Sequence, residues 1–147
     1  MPVPLHGSAL IRCLCHRDAH AMIDRLCRAF GFEKHAAYDD DAGGVAHAQL
    51  VHGRGMLMLV LMLMLGSVRD DAFGRRIAQP DETGGRETQC TCVVVADCKA
   101  HCDHARAIGA EIVDDYEEKD YGGAGYSCRD PEGHLWSFGS YDPWQSA

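Results

Sequence analysis

The chain has 147 residues, 46% hydrophobic and 24% charged, enough for one domain with a buried core or two half-domains sharing one. A formal net charge of −8, with acidic clusters at Asp39–Asp41, Asp70–Asp71 and Asp114–Asp120, excludes the basic footprint that a nucleic-acid partner requires. The same balance steers a cationic small molecule favourably, although plain solubility is the commoner reading.

The opening "MPVPLHGSALIRC" has no basic start followed by an apolar stretch, so no secretory leader is expected. Ile11–Cys15 reads as a first strand. Asp18 is then a good N-cap for a helix in which Met22, Ile23, Leu26, Cys27 and Phe30 share one stripe, and Gly31 ends it. Strands are predicted at Glu33–Tyr38, Gly44–His52 and Met56–Leu65, separated by "DDAGG" and "GRG". The last of these contains "MLMLVLMLML". Ten residues are too few to cross a bilayer, which takes about 20 in a helix, so a cytoplasmic location and no membrane partner are expected.

Gly66–Glu87 mixes glycine, proline and charge without a sustained period and reads as a connection or a loop covering a site. The first pattern then repeats. An apolar run precedes Asp97, Cys98, Cys102, Ala105 and Ile108 follow at helical spacing, and Gly109 closes the helix. Strands follow at Glu111–Tyr116, Gly125–Arg129 and His134–Tyr141, with turns at "YGGAG" and "DPEG". The recurrence at nearly constant offset indicates an internal duplication of a β-α-β-β-β unit. The predicted class is α+β, with module one at about 8–65, a connection at about 66–88 and module two at about 89–144.

The eight cysteines include the pairs Cys13/Cys15 and Cys90/Cys92, each pointing to one face of a strand. With no leader apparent, disulfides are not expected, and most of the thiols read as small buried hydrophobes. "CKAHCDH", Cys98–His104, suggests a soft-metal site, but Cys98 and Cys102 occupy the sheet-facing stripe while His101 and His104 are expected to look outward. Core packing is the preferred reading there.

The two modules, the "GF" after the first helix and "RDPEGHLWSFG" near the end resemble the vicinal oxygen chelate superfamily, which includes glyoxalase I, bleomycin-resistance proteins and extradiol dioxygenases. "GGVAHAQL", "GRGMLML" and "YDPW" are most similar to its uncharacterised glyoxalase-like and PhnB-like members. The resemblance implies curved, barrel-like mixed sheets whose concave side forms a cavity, and a homodimer. In metal-using members it implies His or Glu ligands from the first and last strands of each module. Aligned on the helix-starting aspartates and on "DPEG", those positions fall at Ile11, Thr91 and Ser137, and Met56–Leu65 supplies no acid or histidine. No metal or other cofactor is therefore expected.

Residues expected to line a ligand cavity are His47, Gln49, Met58, Thr91, Tyr126, Arg129, Leu135 and Ser137. His47 and Gln49 share a strand face opposite Ala46, Ala48 and Leu50, and a solvated face is the alternative reading for them. His47 also has a titration range suited to a general base, but no partner acid is evident. Leu135, Ser137 and Gly139 alternate with Trp136 and Phe138, which should pack under the helices. Arg129 reads as an ion-pairing residue or an anion holder. Trp144 reads as sealing the core edge. About six residues look inserted in Met56–Leu65: its methionines would make an apolar wall, or the extra residues bulge out as a dimer contact, and a cavity packed by Met58, Met62 and Met64 would instead favour a structural or regulatory role. The expected function is metal-independent binding of a small molecule, a drug or metabolite held in an apolar cavity, with no catalytic residue assigned. The alternative is a metal-dependent lyase, isomerase or thiol transferase resembling glyoxalase I.

Overall fold

A computed structural model describes residues 11–52 and 61–143, with backbone only for 61–64. Met58 and Trp144, and the side chains of Met62 and Met64, lie outside the described residues. The chain divides into two compact units, Met1–Gln79 and Pro80–Ala147, a division that falls inside the predicted connection.

In the first unit, strand β1 (Arg12–His16) leads to helix α1 (Ala19–Phe30), followed by β2 (Glu33–Asp39), β3 (Val45–His52) and β4 (Leu61–Ser67). The sheet order is β1-β4-β3-β2, with β1 parallel to β4 and the other neighbours antiparallel. The second unit repeats this with β5 (Thr91–Val94), α2 (Cys98–Ala107), β6 (Glu111–Glu118), β7 (Ala124–Arg129) and β8 (Leu135–Gly139), ordered β5-β8-β7-β6. Two four-stranded mixed sheets of matching topology are the duplicated α+β fold that the sequence predicts. Neither sheet closes into a barrel: each ends at two edge strands.

The helices begin where side chains replace missing backbone partners. Asp18 accepts from the Ala21 amide at 3.1 Å and Asp97 from the Ala100 amide at 3.0 Å. Gly31 stops α1 in the left-handed conformation, φ 81°, which costs glycine no Cβ clash. Because α1 links β1 and β2 on opposite edges, it crosses the sheet and touches all four strands. Its stripe of Met22, Ile23, Leu26 and Phe30 is buried against Leu14, Val45, Ala48, Leu50 and Leu65.

The inward alternation of β3 is broken once. Tyr38 pairs with His47 but Asp39 pairs with Val45, a bulge at Ala46. The extra residue turns Val45 into the core and leaves Ala46 exposed, whereas strict alternation would have placed Ala46 with Ala48 and Leu50.

In the second unit, α2 covers Tyr126, Cys128, Trp136 and Phe138, all buried. The Trp136 and Phe138 rings are near parallel with centroids 6.3 Å apart, and Tyr126 stacks on Phe138 at 5.4 Å. His101 departs from its predicted outward position. Its ring lies 4.5 Å from that of Phe138, and its Nδ1 is 2.6 Å from the Tyr126 hydroxyl. A buried phenol needs a hydrogen-bond partner, and the histidine one turn into α2 supplies it.

The "DPEG" turn is built on Asp130. Its Oδ1 accepts from the Glu132 and His134 amides at 3.0 and 3.1 Å, and its Oδ2 from the Trp136 indole N–H at 3.2 Å. The connection ahead of β5 contains short 3-10 turns at Gly74–Arg76 and Pro80–Thr83. Its end is fastened to β8 by Glu87. One carboxylate oxygen lies 2.8 Å from His134 Nδ1 and the other accepts from the Leu135 amide at 2.8 Å.

Candidate functional site

Each sheet has one face covered by its own helix and one opposite face, and away from the bulges the strand period of two assigns side chains to one or the other. In the second unit the opposite face carries Leu135, Ser137 and Gly139 from β8, with Ser127 and Arg129 from β7. Cys92, Ser137 and Ser127 are Cα partners across three strands, so they form a row. The Ser127 and Ser137 hydroxyls are 2.9 Å apart. Cys90 extends the same side of β5, and its thiol lies 3.6 Å from the Ser137 hydroxyl.

Two residues expected beside Ser137 are elsewhere. Thr91 is buried on the helix-covered face with Val93, and Tyr126 is buried there with Cys128. For Thr91 the reason is one residue of register. Cys13 and Cys92 each stand five positions before the capping aspartate and both face away from the helix, whereas Thr91 stands six before Asp97. A slip of one residue inverts the face. Tyr126 follows from the β7 alternation, in which Ser127 and Arg129 face the other way. Burial pushes the Tyr126 phenol pKa well above its ordinary value.

Arg129 donates to the Gly133 carbonyl at 2.8 Å and so clamps the "DPEG" turn. No ion pair joins it to an acid among the described residues.

The first unit offers an analogous row. Cys13, the Met64 position, Gln49 and Ala36 are successive Cα partners. Gln49 Nε2 is 3.0 Å from His47 Nε2, and the His47 ring stacks on Tyr38 at 6.3 Å. This engages His47 with an amide and a phenol ring, not with a carboxylate that would orient it as a base. On the outer side of the same unit lies a shallow groove of about 430 Å³ lined by His20, Asp24, Cys27, Lys34 and Asp39. It sits between α1 and β2, away from the His47/Gln49 row, and its charged lining is mostly paired, as in the 3.1 Å His20–Asp39 contact.

The cysteines divide by face more evenly than their small apolar character suggests. Cys98, Cys102 and Cys128 are buried, Cys15 and Cys27 are half-buried, and Cys13, Cys90 and Cys92 are exposed. Burial pushes the Cys128 thiol up to about 12, so it stays protonated at neutral pH. Native protein is expected to react fast with a thiol-directed aromatic disulfide at Cys13, Cys90 and Cys92. Cys98, Cys102 and Cys128 should react only after denaturation. Peptide mapping of the labelled sites checks this, and fast labelling of Cys128 would contradict the burial described.

A sequence model of the Glyoxalase/Bleomycin resistance protein/Dioxygenase superfamily matches residues 10–138. The chain belongs to this superfamily. No curated protein matches it. Among solved structures it is similar to TioX from Micromonospora sp. ML1, with 29% identity and a TM-score of 0.67 over 90% of this chain and 98% of that one. It shares the fold of a superfamily member from Sphaerobacter thermophilus DSM 20745, at 15% identity and TM-score 0.62, covering 89% and 96% of the two chains. A mutant glyoxalase I from Zea mays shares it at 15% identity and TM-score 0.65, over 90% of this chain and 44% of that one.

For a superfamily member, the question is whether the faces supply metal ligands. A hard or borderline divalent ion wants several imidazole or carboxylate donors converging on one point. Among the described residues no three His, Cys, Asp or Glu side chains converge in that way. Ser137 stands where the resemblance implies a carboxylate, and on its face stand Cys92 of β5 and Cys90 just before that strand, whose donors are soft. Among the described residues, the uncovered face of each unit does not offer the donor set of a hard divalent centre.

Proposed function

We propose that this chain is a metal-independent small-molecule-binding protein of the glyoxalase/bleomycin-resistance type that sequesters an organic drug or metabolite. The observation carrying the reading is the Ser127–Ser137 hydroxyl pair, 2.9 Å apart, at the position where a metal-using relative would hold a carboxylate. On the uncovered face of the second unit the serine hydroxyls and small side chains suit an organic ligand oriented by hydrogen bonds, and on that of the first unit the His47–Gln49 pair offers polar groups of the same kind. The net charge of −8 favours a cation during encounter. A cytoplasmic homodimer belongs to the same reading.

A metal-dependent lyase or thiol transferase is the competing activity, and it requires a donor set that the described residues do not supply. A thermal-shift screen in EDTA against cationic, neutral and anionic drug-like compounds tests the proposal. A selective ligand at 100 times its Kd should stabilise the fold by about 2.7 kcal/mol, because it binds the folded state alone. Ser137→Leu, which fills the face without touching the core, should abolish the shift. Stabilisation by nickel, zinc or manganese alone, with no organic ligand active in EDTA, would sink the reading.

A further inference from the structure

The thiols at the edge of the second sheet do more than replace missing donors. We propose that Cys90 and Cys92 form a two-sulfur site for a soft, low-coordinate monovalent cation of the copper(I) class. Both are exposed: Cys92 is on the uncovered face of β5, and Cys90, one residue before that strand, directs its thiol to Ser137 on the same side. Cys90 Sγ is 3.6 Å from Ser137 Oγ, and Cys92 is the Cα partner of Ser137, so both thiols border the same hydroxyl.

Geometry argues against their closing on each other. Strand neighbours at i and i+2 have Cα atoms roughly 6.6 Å apart, near the upper limit of about 6.8 Å for a disulfide. Both are free thiols, and at such a separation a third atom can bridge them with less strain than a direct S–S bond. The donor count selects that atom. Zinc in a structural site takes four ligands, which this face does not bring together, whereas soft copper(I) is content with two sulfurs. On binding, each S–H bond breaks as an S–Cu bond forms and two protons pass to solvent. The copper stays copper(I), so no oxidant or reductant is needed. The site stands whether or not the face also binds an organic ligand.

The test is an anaerobic competition of the full-length chain against a chromogenic copper(I) chelator. Wild type should withdraw one equivalent of copper(I), releasing two protons into weakly buffered solution. Cys90→Ser/Cys92→Ser should withdraw none, while Cys13→Ser/Cys15→Ser should match wild type. Both substitutions lie outside the helix-covered core, and matching circular dichroism spectra establish that the variants fold. Unchanged uptake by Cys90→Ser/Cys92→Ser overturns the proposal. So does loss of uptake in both double variants, or displacement of copper(I) by an equal amount of zinc.

Discussion

Replacing Trp136 with alanine is expected to lower the free energy of unfolding by about 3–5 kcal/mol, a large part of the roughly 5–15 kcal/mol a domain possesses. The indole has no exposed surface, and its strand partners Thr91 and Cys128 flank it on the helix-covered face. Alanine would leave a void beside Phe138, whose ring it now parallels at 6.3 Å, and would strip Asp130 Oδ2 of the indole N–H. Trp136→Phe keeps most of the volume and should lose less than half as much. Urea titration followed by far-UV circular dichroism reads the difference, since fluorescence would lose Trp136 and keep only Trp144. A loss under about 1 kcal/mol for Trp136→Ala would show that the ring is not the centre of this core.

Asp130→Ala should cost nearly as much, about 3–4 kcal/mol, though it removes few apolar atoms. The carboxylate is 3% exposed and accepts three hydrogen bonds, two from the turn amides of Glu132 and His134 and one from Trp136. Without it three donors lose their acceptor where water has little access, and each such loss costs about 1–3 kcal/mol before relaxation. Asp130→Asn separates the two roles. Its amide oxygen still serves the turn, but its NH₂ confronts the indole N–H, so part of the loss should return. The same urea titration measures both. Asp130→Ala and Trp136→Phe share a hydrogen bond, and their effects should not add, the coupling amounting to about 1 kcal/mol in a double-mutant cycle. Strict additivity would mean that the indole contact contributes nothing.

The repeat, the helix caps and the β8 alternation were legible in the sequence because each depends on residues close together in the chain. Asp18 and Asp97 announce the helices, Gly31 and Gly109 end them, and Trp136 and Phe138 are large where Ser137 and Gly139 are small. Facing was harder wherever it hung on a count of one. Thr91 lands with the core because the distance from β5 to Asp97 must be judged to the residue, and Ala46 is displaced by a bulge that alternation does not foresee. The outward reading of His101 failed because its partner, the Tyr126 hydroxyl, lies 25 positions away. The exposure of Cys13, Cys90 and Cys92 was hidden by their composition: a small apolar residue reads as core until its strand face is known.

All the inter-strand ladders described run between strands of a single half, β1 to β4 in one and β5 to β8 in the other. The Glu87 latch onto His134 and Leu135 likewise begins and ends after the boundary at Gln79. Two copies of the chain trading whole halves would break no rung of either ladder, and a gene split near that boundary would encode two pieces each carrying its complete sheet. Modularity of this kind lets one half change its binding chemistry while the hydrogen-bonded frame of the other is left intact.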